Sequence, residues 1–291
     1  MSKKQKEKEF YFYVINIKLR DKESKKDLEH TDYTRIFKSL FNNRVHKRSS
    51  NTKHCIIKNL FEEIENDEVL YLSGLIAQFT YIENEKWFNV KSMDIDEEFA
   101  APEGLFPDAK MTEYVFIPKA HRFCYKITSE FQTNPYPIKN FFEKALNEVC
   151  KSNEYVQVDV ETDASTIEMI LASPVIKKLI IDINYSNFDS GNVLKRFVDD
   201  DVRQSNTSKL KIEATQKPGV SIDVKESKIL SGAISSSLSN GETQARVIDE
   251  KGKTHTINTS DFPLKDHVFG FPSRFNALVH NKIMEMFRNG N

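Results

Sequence analysis

The run from Phe10 to Leu19 reads F-Y-F-Y-V-I-N-I-K-L, and no other segment constrains the fold as tightly. Aromatic and β-branched residues at this density predict a strand buried on at least one face. Such a strand needs neighbours, and the following segments supply them. Tyr33 to Phe41 keeps a helical period, with Tyr33, Ile36, Phe37, Leu40 and Phe41 on one face and Thr31 or Asp32 placed to cap its start. Strand-like runs follow at His54 to Leu60, Val69 to Tyr81 and Trp87 to Val90. They are separated by the turn signals Glu65-Asn66-Asp67 and Glu83-Asn84-Glu85, a spacing that suits an antiparallel meander. Thr112 to Ile117 and His121 to Ile127 read as a further strand pair broken at Pro118.

Asn134-Pro135-Tyr136-Pro137 punctuates the chain, and we place a domain boundary there, giving 1–134 as a mostly antiparallel β region with basic loops. Residues 135–291 alternate. Helical patterns run from Ile138 to Cys150, Ser165 to Leu171, Val193 to Val202, Lys225 to Leu238 and Phe275 to Phe287. Strand patterns run from Tyr155 to Val160, Val175 to Ile183 and Lys209 to Ala214, with a hairpin over Thr243 to Asn258. The expected class is α+β: an antiparallel N-terminal sheet, then a split β-α-β region of ferredoxin-like type, then a C-terminal helix.

Composition removes several classes. The chain has 291 residues, 21 Phe, 10 Tyr, 9 Gly and 9 Pro, which fits a folded protein with a sizeable core and excludes collagen-like and disordered chains. No apolar run reaches the ~18–20 residues of a membrane span, and no signal peptide is legible after the charged start. Cys55, Cys124 and Cys150 are odd in number and far apart, so neither a disulfide framework nor a thiolate zinc site is expected. A reduced, cytoplasmic protein is the expectation.

Charge is balanced in sum and unbalanced along the chain. The net charge is -1, yet residues 1–60 carry 16 Lys and Arg against 7 Asp and Glu, while residues 61–110 carry 3 against 13. Either the two segments neutralise each other in the fold, or the first forms a surface for nucleic acid or another anion. The segment Arg44 to His54 is read as a flexible basic loop. Its Arg44, Lys47, Arg48 and Lys53, with Ser49 to Thr52 between them, are the residue types that contact phosphate oxygens. Arg122, on the aromatic strand after Pro118, is a further candidate. Arg20, Lys22, Lys25 and Lys26 form a second basic cluster.

Catalytic signatures are sparse. Walker A, G-x-G-x-x-G, G-x-S-x-G and H-E-x-x-H motifs are absent. No cofactor and no metal ligand set is assigned. Asp94 to Glu98 is acidic but lacks the glycine turn of a calcium loop, and reads as a connector. Arg274 and His280 are six apart, one more than the Arg–His spacing of helical toxin ribonucleases. Cys124 reads as core. The nearest approach to a Mg²⁺ nuclease is Asp223-Val-Lys225 with Asp182 or Asp199 as a distant partner. The final helix, with Phe275, Leu278, Val279, Ile283, Met286 and Phe287, offers a broad apolar face for a homodimer or for packing on its own core.

Several segments, taken in order, resemble an uncharacterised bacterial domain-of-unknown-function family linked to phage defence. They are Phe10 to Leu19; Pro102-Glu-Gly-Leu-Phe-Pro-Asp108 through Phe116-Ile-Pro-Lys-Ala-His121-Arg-Phe123; Lys178-Leu-Ile-Ile-Asp-Ile183; Lys217-Pro-Gly-Val-Ser221; and Val247-Ile-Asp-Glu-Lys-Gly252 followed by Asp261-Phe-Pro263. The segment order also resembles that of the phage-exclusion sensor RexA, including a hairpin like Asp249-Glu-Lys-Gly252. That resemblance implies a DNA-binding dimer in abortive infection with a separate effector protein. The expected function is therefore a non-enzymatic sensor of nucleic acid or of a phage component. A metal-dependent nuclease and a pure protein-interaction module stand as alternatives.

Overall fold

The aromatic run is the hub of the molecule. The computed structural model describes residues 6–24, 26–82, 86–96, 102–131, 134–184, 207 and 209–287. In it, strand β1 (Lys8–Asp21) extends the expected strand by two residues at each end. Along one edge it pairs antiparallel with β9 (Arg122–Lys126), and along the other with β10 (Glu154–Val160) and β15 (Lys265–Gly270).

The sheet continues from β9 through β8 (Lys110–Ile117), β5 (Glu68–Thr80) and β3 (Lys53–Ile57) to β2 (His46–Ser50) at its edge, and β4 (Phe61–Glu65) also pairs with β5. Nine strands result, all paired antiparallel among the described residues. β3 and β4 lie end to end along β5. At the junction Gly74 meets the Asn59 carbonyl, and a Cβ there would sit 2.0 Å from the Asn59 oxygen.

The two faces of β1 bury different partners, as the two-residue period requires. Ile15, Ile17 and Leu19 enter the main core beneath helices α1 (His30–Asn42) and α2 (Pro135–Val149). α1 contributes Tyr33, Ile36, Phe37 and Leu40, the stripe expected of it, although its N-cap is Glu29 rather than Thr31 or Asp32. α2 starts earlier than expected because the Asn134 side chain accepts from Tyr136 N–H and Pro135 tolerates the first turn. Phe10, Phe12 and Val14 face the other way and pack with the C-terminal helix.

A second sheet runs β12 (Lys209–Thr215), β11 (Val175–Asn184), β13 (Gly241–Ile248), β14 (Thr254–Asn258). Helices α3 (Ser165–Ala172) and α4 (Lys228–Asn240) supply Ile170, Ala233 and Ile234 to its core. The fold class is α+β. The split β-α-β arrangement is met in part: helices do separate these strands, but every pairing in the sheet is antiparallel. The first sheet takes β10 and β15 from beyond residue 135, so it spans the boundary expected there. A short hairpin of β6 (Trp87–Asn89) and β7 (Asp94–Asp96) stands as a separate two-stranded sheet. The helix expected over Val193 to Val202 lies outside the described residues. Helix α5 (Phe275–Phe287) has the expected bounds.

Candidate functional site

The segment Arg44 to His54 is a β-hairpin, not a flexible loop. Register Ser50↔Lys53 leaves a two-residue turn at Asn51-Thr52, and Arg48 lies opposite His54. What orders it is helix α2. Asn140 Nδ2 donates to Ser49 O (3.2 Å), Lys144 Nζ donates to Arg48 O (3.1 Å), and Lys47 pairs with Glu148. Ser49 and Cys55 are thereby buried.

Arg44 is delivered by the end of α1. Its N–H bonds Phe41 O (3.0 Å) and that of Val45 bonds Leu40 O (3.2 Å), the paired bonds of a Schellman cap. Arg44 itself holds φ 50°, the left-handed position where glycine is favoured. A cation there also faces the negative end of the α1 dipole.

Between the hairpin and α2 lies a cleft of about 530 Å³ lined by Arg44, His46, Lys47, His54, Tyr81 and Glu148, with Asn43, Val45 and Val149 completing the wall. Its floor is aromatic. His46 Nδ1 and His54 Nδ1 are 3.1 Å apart, so one ring must donate and the other accept. His54 lies flat on Tyr81, with centroids 4.2 Å apart and planes at 8°. Phe106 packs on Tyr81 at 4.9 Å and on Phe79 at 5.0 Å. Burial, and then the nearby charges of His46, Arg48, Lys144 and Lys47, hold His54 below the ordinary histidine range.

Among the described residues the basic and acidic segments do meet, through ion pairs. Lys38 pairs with Glu62 (2.8 Å), and Lys53 pairs with Asp108 while its Nζ also donates to Thr80 Oγ1 (2.7 Å). Neither pair neutralises the cleft. Arg44 and Arg48 are exposed and have no carboxylate partner among the described residues.

A family model described as a domain of unknown function, DUF4747, matches residues 8–285. The chain belongs to the DUF4747 family. No curated protein matches it.

The other expected sites of the DUF4747 chain are placed elsewhere or built differently. Arg122 is apart from the hairpin and buried. It pairs with Glu161 at 2.8 Å, donates to Ala120 O and lies 4.2 Å over the Phe287 ring, so it is a core cation rather than a phosphate contact. Of the second basic cluster, Arg20 is buried against Asp27 (2.7 Å), Lys22 is bonded to Ser152 O, and Lys25 lies outside the described residues.

Among the described residues the nuclease constellation is not assembled, and Asp199 lies outside them. Asp182 pairs with Lys209 (3.3 Å), and Asp223 accepts from the N–H groups of Lys225 and Glu226 in a turn. Among the described residues no group of three His, Cys, Asp or Glu is placed to hold a metal. Cys124 is buried in the core, and burial pushes its thiol pKa up. The α5 face expected for dimerisation is covered by the chain's own sheet: Phe275, Val279 and Ile283 are buried against Phe10, Phe12 and Val14. No helix among the described residues is long and apolar enough to cross a membrane.

Sequence reasoning missed His46, His54, Tyr81 and Glu148 as partners. One signal was present. If Asn51-Thr52 is read as a two-residue turn, His46 and His54 fall on one face of a hairpin. Tyr81 and Glu148 reach the cleft only through tertiary packing.

Proposed function

We propose that this protein binds nucleic acid through the β2–β3 hairpin and its cleft. The observation that carries the reading is the pair of exposed, unneutralised guanidinium groups of Arg44 and Arg48 beside a polar, aromatic-floored cleft. Guanidinium groups recognise phosphate in a bidentate manner, and aromatic surface accepts bases. Lys144 adds positive charge beside Arg48, while Lys47 is committed to Glu148 and Lys53 to Asp108.

Binding of this kind is electrostatic and salt-sensitive, with no base-edge readout implied. The role we infer is that of a cytoplasmic, non-enzymatic sensor in bacterial anti-phage defence, passing the binding event to an effector protein. The ordered resemblance of segments supports that setting, and the same resemblance supports a homodimer.

Fluorescence anisotropy with labelled DNA and RNA oligonucleotides at low salt tests the reading. Saturable binding that weakens as salt rises is expected. Absence of binding to every form of DNA and RNA at low salt removes it.

A further inference from the structure

The cleft has features that a plain phosphate-binding surface does not need. One wall carries the cations Arg44 and Lys47, with Arg48 facing His54 across the hairpin. The rings in its lining are His46 and the stacked pair His54 on Tyr81, with Phe106 packed on Tyr81 behind them. Glu148 stands in the wall, held by Lys47. A carboxylate repels phosphate, but it accepts hydrogen bonds from the amino and hydroxyl groups that bases and sugars carry. A volume of about 530 Å³ suits one small ligand, within the ordinary range for such pockets. The bases of a duplex stay stacked inside it and have no access to a cleft of this size, whereas a single strand can present one.

We infer that the cleft takes one unstacked nucleotide of a single-stranded nucleic acid, its base against the His54–Tyr81 ring pair and its phosphates on Arg44 and Arg48. This rests on the nucleic-acid reading above and narrows it. The cations fix the backbone and the rings hold the base, so the site is tolerant of sequence.

The test compares wild type with Tyr81→Ala, Tyr81→Phe and Tyr81→Trp in the full chain, each checked for folding by circular dichroism and thermal melting. Binding of a 12-mer single-stranded DNA, its RNA counterpart, both duplexes and a poly-glutamate peptide is read by anisotropy. The expected result is that single strands bind at least tenfold more tightly than duplexes. Tyr81→Ala is expected to lose about tenfold of that affinity and Tyr81→Phe to keep it.

Should Tyr81→Ala fail to fold, quenching of Tyr81→Trp fluorescence by a bound single strand carries the test. Preference of RNA over DNA would place a ribose hydroxyl at the site, and equal binding would place only base and phosphate; both support the inference. Equal binding of duplex and single strand, a folded Tyr81→Ala of wild-type affinity, an unquenched Tyr81→Trp variant that still binds, or a match by poly-glutamate overturns it. Lack of binding to any nucleic acid overturns the underlying reading as well.

Discussion

His46 Nδ1 and His54 Nδ1 lie 3.1 Å apart across the β2–β3 hairpin, so the two imidazoles share a hydrogen-bonding proton in a wall otherwise rich in cations. A second full charge on this pair is costly. Burial opposes protonation of His54 first, and the charges of His46, Arg48, Lys144 and Lys47 oppose it further. Phosphate in the cleft reverses that balance, because an anion stabilises the protonated pair.

A pH dependence follows in both stability and binding. The folded-state pKa of His54 is below its unfolded value of 6.5. Its contribution to stability is therefore intact above that value and lost as pH falls through the lower folded value. Affinity for a nucleic acid moves oppositely and rises as the pair gains a proton. NMR titration of His54 with and without an oligonucleotide checks this: the ligand is expected to move the titration to higher pH. His54→Gln is expected to flatten both profiles.

Replacing Arg44 by glycine separates structure from function. Glycine accepts the left-handed φ of 50° without a Cβ penalty, so Arg44→Gly is expected to stabilise the chain by up to about 1 kcal/mol in urea unfolding. The same variant is expected to bind nucleic acid more weakly. Reduced stability would show that the arginine side chain holds the end of α1.

Arg122 is expected to behave as a core residue. Its ion pair with Glu161 has both side chains almost wholly buried, at 3% and 4% exposure. Arg122→Ala removes that partner from a buried carboxylate and is expected to cost about 3–5 kcal/mol. Thermal melting should register a large loss, with binding lost only as far as the fold is lost.

Gly74 sits where β3 and β4 meet along β5. Its added Cβ would lie 2.0 Å from a backbone oxygen that cannot step aside without breaking pairing. Gly74→Ala is expected to destabilise by about 2–3 kcal/mol, measured by denaturant unfolding.

Much of this architecture is legible in the residues, and the gaps have physical causes. β1, α1, β8, β9, the β13–β14 hairpin and α5 carry strong periodicity and stand where expected. β2 was hidden because His46-Lys47-Arg48-Ser49-Ser50 has no apolar alternation: its order comes from α2, some ninety residues away, which bonds its carbonyls. β4 and β15 are equally poor in pattern, since each is a peripheral strand with an exposed face. The cleft was half legible. Its arginines declared themselves by type, while the histidine pair, Tyr81 and Glu148 depended on contacts that spacing alone does not reveal. Arg122 misled because a basic residue in an aromatic strand reads the same whether it meets phosphate or a buried glutamate.

The most direct measurement is the salt dependence of single-strand binding for wild type and for the double variant Arg44→Ala, Arg48→Ala. Each phosphate contact to a single strand contributes about 0.7 to the slope of log K against log salt. The double variant is therefore expected to lose about 1.4 from that slope while its melting temperature stays near that of wild type. An unchanged slope in a folded double variant would contradict the assignment of the hairpin as the nucleic-acid surface.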